Sequence, residues 1–332
     1  MKKFICRGLL YALPLIVIVV IIVIIDPYYL YHKNRAFDQS KFDVGYSYDQ
    51  GRRYKLFTYF NNPADKIILG ASEINLISER NIPEDGWHSL SFGGAQLEES
   101  LDLFWKITGE HQLKKVLLAP EFIKFYNAVI DEGINYYNWN LTQSNKAIEL
   151  YNNKLEYFLD KYTLQSTYYL LLDNFGVKNK RSKPQMSKDE FWKSQLDYGR
   201  QQFSKAINNN EVEGVYSSLT EIKNYCDSKG IEVLIVLPIQ HVDLIKFEYS
   251  NEIYPIYRDY LSHLIDIFGE VYYYDYPSDF SNNRDLFSDP FHYIEAELYI
   301  NSLWGNQKKD YIHLGSEESL YSVDSLRNDI LK

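Results

Sequence analysis

Cysteine is almost absent from the chain: Cys6 and Cys226 stand far apart in 332 residues, one in an apolar run and the other in a helical pattern. A disulfide framework and a thiolate zinc site are thereby excluded. Basic clusters are missing as well. With 35 Lys and Arg against 45 Asp and Glu, and no basic stripe, the chain lacks what nucleic-acid binding by counterion release requires. There are no internal repeats, and a content of 45% hydrophobic residues excludes a collagen-like fibre and a wholly disordered chain. One large domain or two smaller ones fit the length.

Charge is absent from Leu9 to Ile25, where 14 residues are Leu, Ile or Val. On an insertion scale this favours the membrane by about 4 to 8 kcal/mol; counted from Phe4, a helix would reach roughly 33 Å. Pro14 is tolerated in such helices. Ile24, Ile25, Asp26, Pro27 and Tyr28 offer no small-x-small cleavage site, so a retained signal anchor is expected rather than a cleaved leader. Lys2, Lys3 and Arg7 precede the run, which predicts a cytoplasmic N-terminus and a single span with everything after Asp26 outside. That outer part keeps 32 positive against 45 negative charges, a balance of −13, and is expected to be soluble without strong attraction to anionic lipid.

Residues 26–60 are polar, rich in Tyr and Arg and without clear period, and read as a stalk. A βα rhythm then begins. Short apolar strands are predicted at 66–69, 87–91, 115–119, 231–237 and 271–274, separated by helices at 73–79, 96–108, 213–228, 254–268 and 294–303. Residues 121–212 break the alternation, with helical pieces at 145–162 and a polar break at 178–188. They read as a helical insertion capping one edge of the sheet. The expected core, over 61–304, is a parallel five-stranded α/β sheet covered on both faces, and the tail 305–332 carries no pattern.

Ligands of such sheets meet the carboxyl ends of the strands. Ser72 follows the first strand in Gly70-Ala71-Ser72; Gly93 and Gly94 follow the second, where backbone N–H groups can approach a ligand closely. Asp289-Pro290-Phe291-His292 follows the fifth. A serine hydroxyl is a weak nucleophile until an imidazole accepts its proton, and the imidazole needs a carboxylate to fix its tautomer. Ser72, His292 and Asp289 fill these roles if the strand ends converge, with the N–H groups of Ser72 and of Gly93 or Gly94 as oxyanion donors. Each has a plainer reading: Ser72 in an ordinary turn, Asp289 as a helix cap. Glu121 and His241 are candidates for lining the same cleft, against a salt-bridged structural acid and a partly exposed loop residue. A metal site from Asp289, His292 and Glu295 lacks a second His at helical spacing. Tyr136, Tyr137 and Trp139 are candidates for a sugar-stacking platform, against plain core packing.

The layout of Gly70-Ala71-Ser72, Gly93-Gly94 and Asp289-x-x-His292 resembles the SGNH (GDSL-type) hydrolase superfamily over about Lys66 to Trp304, the insertion excepted. With the single anchor, the chain further resembles the membrane-anchored SGNH-like proteins of bacterial envelope polymer acylation, including alginate O-acetylation and D-alanyl-lipoteichoic acid transfer proteins. The resemblance implies a flavodoxin-like three-layer fold, a Ser/His/Asp catalytic set and an acyl ester substrate, without a cofactor. It also implies a multi-span membrane acyltransferase as partner if acyl groups are moved outward. Two departures stand out. Ala71 occupies the place of the family's Asp, and Ala119-Pro120-Glu121-Phe122 stands where a Gly-x-Asn-Asp block would supply a third oxyanion donor. The resulting expectation is a serine-dependent acyltransferase or esterase acting on acyl, chiefly acetyl, esters of a cell-surface glycan. The alternative is a catalytically weak or inactive adaptor that binds glycan or the membrane partner.

Overall fold

The computed structural model describes residues 2–31, 48–127, 143–175, 186–207, 212–305 and 311–330. The chain divides into two compact units: Met1–Pro63 with Asn140–Pro184, and Ala64–Trp139 with Gln185–Lys332.

The first unit holds α1 (Lys2–Ile25), α2 (Tyr48–Asn61), α5 (Gln143–Asn152), α6 (Lys154–Leu159) and α7 (Lys161–Asn174). The chain leaves α1 through Asp26 and Tyr29, both with positive φ. The Asp26 carboxylate holds this turn by accepting the N–H groups of Leu30 and Tyr31, each at 2.8 Å. Part of the expected stalk is therefore helix. In α2 the buried positions are Arg52, Tyr54, Lys55, Leu56, Phe57 and Tyr59, and the two cationic residues among them hide the apolar period from a sequence reading. Among the described residues no helix is long and apolar enough to cross a membrane.

The second unit is a mixed α/β structure with a mostly parallel sheet. Its strands are β1 (Lys66–Gly70), β2 (Trp87–Ser91), β3 (Lys115–Leu118), β4 (Glu232–Leu237) and β5 (Val271–Tyr273). A hairpin of β6 (Phe287–Asp289) and β7 (His292–Tyr293) follows, then β8 (Ile312–Leu314). The sheet order is β2-β1-β3-β4-β5-β8, parallel throughout except for β8 against β5. All five expected strands are present. The last four residues of β1 and all of β2 are buried, so the sheet is covered on both faces. On one face Ile68, Leu117, Leu234 and Val236 pack with Ile74, Ile77, Trp87, Trp192, Tyr274 and Tyr299.

Several expectations are corrected. The sheet has six strands, because the tail supplies β8 and then a helix at Leu320–Ile330; three strand residues are too few to show a period. The helix expected at 73–79 is a single 3-10 turn, Ser72–Ile74. Asn81 explains the difference: its Oδ1 accepts the Ser78 N–H and its Nδ2 donates to the Leu76 carbonyl, both at 2.9 Å, closing locally a backbone that a helix would have used. The last predicted helix begins at Glu297 rather than Ile294, since His292 and Tyr293 pair with β6. The segment 121–212 is not one insertion capping a sheet edge. Its α4 (Phe122–Asn127) and α8 (Lys188–Ile207) belong to the sheet unit, while α5, α6 and α7 belong to the unit with α1 and α2. Its polar break lies for the most part outside the described residues.

Just past β4, the buried Ile239 N–H donates to the Tyr299 hydroxyl at 2.8 Å. Replacing Tyr299 by Phe leaves that N–H without its partner, and the expected loss is about 1 to 3 kcal/mol of stability, read by denaturant unfolding of the full chain in detergent.

Candidate functional site

The strand order reverses at β1, which has β2 on one side and β3 on the other. In open α/β sheets this switch point is where strand ends open a crevice. Two segments leave the sheet there, Gly70-Ala71-Ser72 from β1 and Ala119-Pro120-Glu121 from β3. They pass so closely that a Cβ on Gly70 would lie 2.7 Å from Ile74 Cγ2 and 3.1 Å from Ala119 Cβ. Glycine at position 70 is thus a condition of the tight exit that presents Ser72.

Ser72 is half-buried and its hydroxyl donates to Glu73 Oε2 at 2.9 Å. Glu73 is itself buried and hydrogen-bonds the buried carboxyl of Glu121, which also accepts the Ala71 N–H. Burial first, and then the negative charge of Glu73, push the Glu121 carboxyl well above the ordinary carboxylate range, the charge of Lys124 opposing them. Glu121 Oε1 has no hydrogen-bond partner. The backbone beneath is fixed by the Tyr260 hydroxyl, which donates to the Pro120 carbonyl.

Asp289 and His292 are brought together by the β6–β7 hairpin. His292 Nδ1 lies 2.7 Å from Asp289 Oδ2, and Asp289 Oδ1 accepts the N–H groups of Phe291 at 3.0 Å and His292 at 3.2 Å. The carboxylate thus fixes both the loop and the ring, with Nδ1–H as donor and Nε2 left as the proton acceptor. Burial lowers the His292 pKa, but the hydrogen bond to Asp289 and the charges of Glu73 and Asp289 outweigh it, and the net shift is upward from 6.5. β7 packs against the 3-10 turn that carries Ser72. The structure thus brings Ser72, Glu73, Glu121, Asp289 and His292 to one end of the sheet. No hydrogen bond joins Ser72 to His292; the serine hydrogen is directed to Glu73.

Gly93 and Gly94 form the turn after β2, with Gly94 at φ 72°, a conformation that favours glycine. This turn neighbours the exit of β1, since Gly70 pairs with Ser91 and its carbonyl accepts the Phe92 N–H at 3.2 Å. Ser91 also donates to Asn75 Oδ1 at 3.4 Å, linking the strand end to the turn of Ser72.

Of the two cleft-lining candidates, Glu121 is a buried acid whose carboxyl is pushed upward by burial and by Glu73 rather than held down by a salt bridge. His241 is buried rather than partly exposed in a loop. Its ring packs between Trp192 and Phe287, its Nδ1 accepts the Asp243 N–H at 3.2 Å, and its own backbone N–H donates to Pro290 at 2.9 Å. It braces the hairpin through the backbone. Glu295 lies exposed beyond the pair, and among the described residues no group of three or more His, Cys, Asp or Glu is arranged to hold a metal ion. Tyr136, Tyr137 and Trp139 lie outside the described residues. The sequence reading missed Glu73, whose one available signal is its place directly after the serine of a strand-end turn.

Two outcomes are expected from these electrostatics. The raised His292 pKa means that pairing with Asp289 stabilises the fold fully below pH 6.5, an effect lost as pH rises through the folded value. Asp289→Asn should therefore lower the imidazole pKa in an NMR titration and cost more stability at pH 6 than at pH 9. Glu121 has the opposite sense: a raised carboxyl pKa destabilises the fold increasingly above 4.5. Glu121→Gln should unfold at higher denaturant than wild type at pH 8, the gap closing towards pH 4.5.

No family model, curated protein or solved structure matches the chain.

Proposed function

We propose that the chain is a membrane-anchored, extracytoplasmic SGNH-like acyltransferase or esterase that moves acyl groups, chiefly acetyl, on or off a cell-surface glycan. The observation that carries this reading is the Asp289–His292 pair on a hairpin packed against the turn of Ser72, at the carboxyl ends of a parallel sheet in the flavodoxin-like order. The anchor rests on the charge-free run Leu9–Ile25 and on the basic residues before it.

In this reading Ser72 turns its hydroxyl from Glu73 to His292. Oγ attacks the acyl carbon while its proton passes to Nε2, and Asp289 stabilises the imidazolium. The N–H groups of Ser72 and of Gly93 or Gly94 hold the oxyanion. Collapse of the tetrahedral intermediate expels the donor's alcohol, which takes the proton from His292 and leaves acyl-Ser72. A glycan hydroxyl, or water, then attacks the acyl carbon; His292 removes its proton and returns it to Ser72 Oγ as the ester or acid departs. Outward transfer needs a donor supplied across the membrane, for which a multi-span acyltransferase is the fitting partner. Simple hydrolysis needs none.

One observation favours the second reading, an adaptor of the same fold. The serine is held by Glu73 instead of the imidazole, and residues 119–122 supply no Asn, a loss of about 10²- to 10³-fold for one oxyanion donor. A fluorophosphonate probe separates the two. The enzyme predicts a covalent adduct on the purified full chain that Ser72→Ala abolishes, together with at least a 100-fold loss of p-nitrophenyl acetate hydrolysis. Equal hydrolysis by wild type and Ser72→Ala overturns the nucleophile, and a folded wild-type chain that takes no label overturns the enzyme in favour of the adaptor.

A further inference from the structure

The helix α7 wears its polarity inside out, and α6 beside it leaves two leucines uncovered. Toward the interior of their unit α7 turns Thr163, Ser166, Thr167 and Leu170, spaced i, i+3, i+4, i+7, and the first two are fully buried. These small residues carry hydroxyls that are satisfied at home: Thr167 donates to the Thr163 carbonyl at 2.8 Å, and Ser166 meets the hydroxyl of Tyr28 at 2.8 Å. Outward, the same helix presents Leu164 and Tyr168, and Phe175 follows it; the last two are 56% and 80% exposed. In α6, Leu155 and Leu159 are 74% and 62% exposed, beside the exposed Glu156. A helix in water places its large apolar residues inward and its hydroxyls outward. Small and hydroxyl-bearing residues at the helix contacts, with large apolar residues facing away, are the arrangement of a helix whose surroundings are themselves apolar.

The neighbour of α7 says what those surroundings are. α7 packs against α1. Within α1, Ile22 and Ile25 are buried against protein, whereas Leu13, Leu15, Ile16, Val17, Ile18 and Val20 are exposed. From Tyr11 onward α1 is thus held by its unit at its carboxyl end, and the apolar residues before it, pointing in several directions around the axis, are uncovered. If α1 is anchored in a bilayer, the level at which α7 meets it is the level at which the span leaves the hydrocarbon. Aromatic residues favour that boundary, and Tyr168 and the exposed Tyr31, stacked on Phe158 with ring centroids 5.8 Å apart, lie in the same unit.

We propose that the outward face of α6 and α7, formed by Leu155, Leu159, Leu164, Tyr168 and Phe175, is seated in the lipid interface beside the anchor helix, so that the helical unit is a bilayer-resting platform. The contact is apolar, made with acyl chains and glycerol backbones, and needs no basic patch. It rests on the anchor reading above.

The test uses the full chain with Cys6 and Cys226 replaced by Ser and a single cysteine introduced at Leu159, Leu164, Tyr168 or Phe175, or at the exposed polar Glu156 as control. Each variant is labelled with the environment-sensitive fluorophore NBD and reconstituted in phosphatidylethanolamine/phosphatidylglycerol vesicles with and without shallow-depth doxyl lipid. The four apolar positions should show blue-shifted emission that doxyl lipid quenches about twofold, and Glu156 should not. Water-like emission at all positions overturns the platform, as does blue-shifted emission that lipid fails to quench, which assigns the face to a protein partner or a second copy. Alkaline extraction of the same vesicles reads the anchor separately. A chain retained at high pH whose labels are not quenched refutes only the platform, whereas a chain released from the vesicles refutes the anchor.

Discussion

Two buried carboxyl groups, Glu73 and Glu121, meet where the sheet changes direction, and burial together with the charge of Glu73 pushes the Glu121 carboxyl well above the ordinary range. Much of the site follows from that pair. Glu73 accepts the Ser72 hydroxyl hydrogen, and its charge helps raise the His292 pKa against burial. The serine is thus oriented by an acid on its own turn, and the imidazole by an acid on its own hairpin. Two local pairs meet across strands that are distant in sequence.

The same solution recurs beyond the next strands. Glu248 and Asp275 are buried together, bridged by Gln240 Nε2, which donates to each at 3.0 Å. Burial and the charge of Asp275 push Glu248 well above the ordinary carboxyl range, and burial raises Asp275 to about 6. Tyrosine makes this tolerable. Tyr257 donates to Asp275 at 3.2 Å, and Tyr249 and Tyr273 extend the chain of hydroxyls at 3.0 Å. A phenol removes as much apolar surface from water as a phenylalanine and still ends in a hydrogen-bonding group, which suits a core with acids at the strand ends. The abundance of tyrosine, 31 in 332 residues, is thus in part a property of the core.

How much of this was legible in the sequence depends on the range of the interactions. Four of the five parallel strands were readable as short apolar runs between polar stretches, the second (Trp87–Ser91) being mixed, and Tyr254–Phe268 was readable because its apolar residues keep helical spacing. Asp289 and His292 were readable as a pair because three residues and a tight loop suffice to bring them together. Glu73 and Glu121 were not, since 48 positions separate them and only the adjacency of β1 and β3 makes them neighbours. The turn at Ser72 was mistaken for a helix because a side-chain amide, Asn81, competes for the backbone. α2 was mistaken for a stalk because Arg52 and Lys55 occupy interior positions that a pattern reader assigns to apolar residues.

The order in which the units occur along the chain has a consequence for biosynthesis. The first unit begins at the N-terminus but is completed only by Asn140–Pro184, after the chain has laid down Ala64–Trp139 of the other. At ribosomal rates of about 5 to 20 residues per second, Phe57 and Tyr59 emerge roughly 4 to 17 s, and Tyr28 roughly 6 to 23 s, before the helices that cover them begin to appear at Gln143. During that interval the nascent segment is a client for whatever sequesters exposed aromatic surface, and a pause in translation between Pro63 and Asn140 would lengthen its vulnerability more than a pause anywhere later.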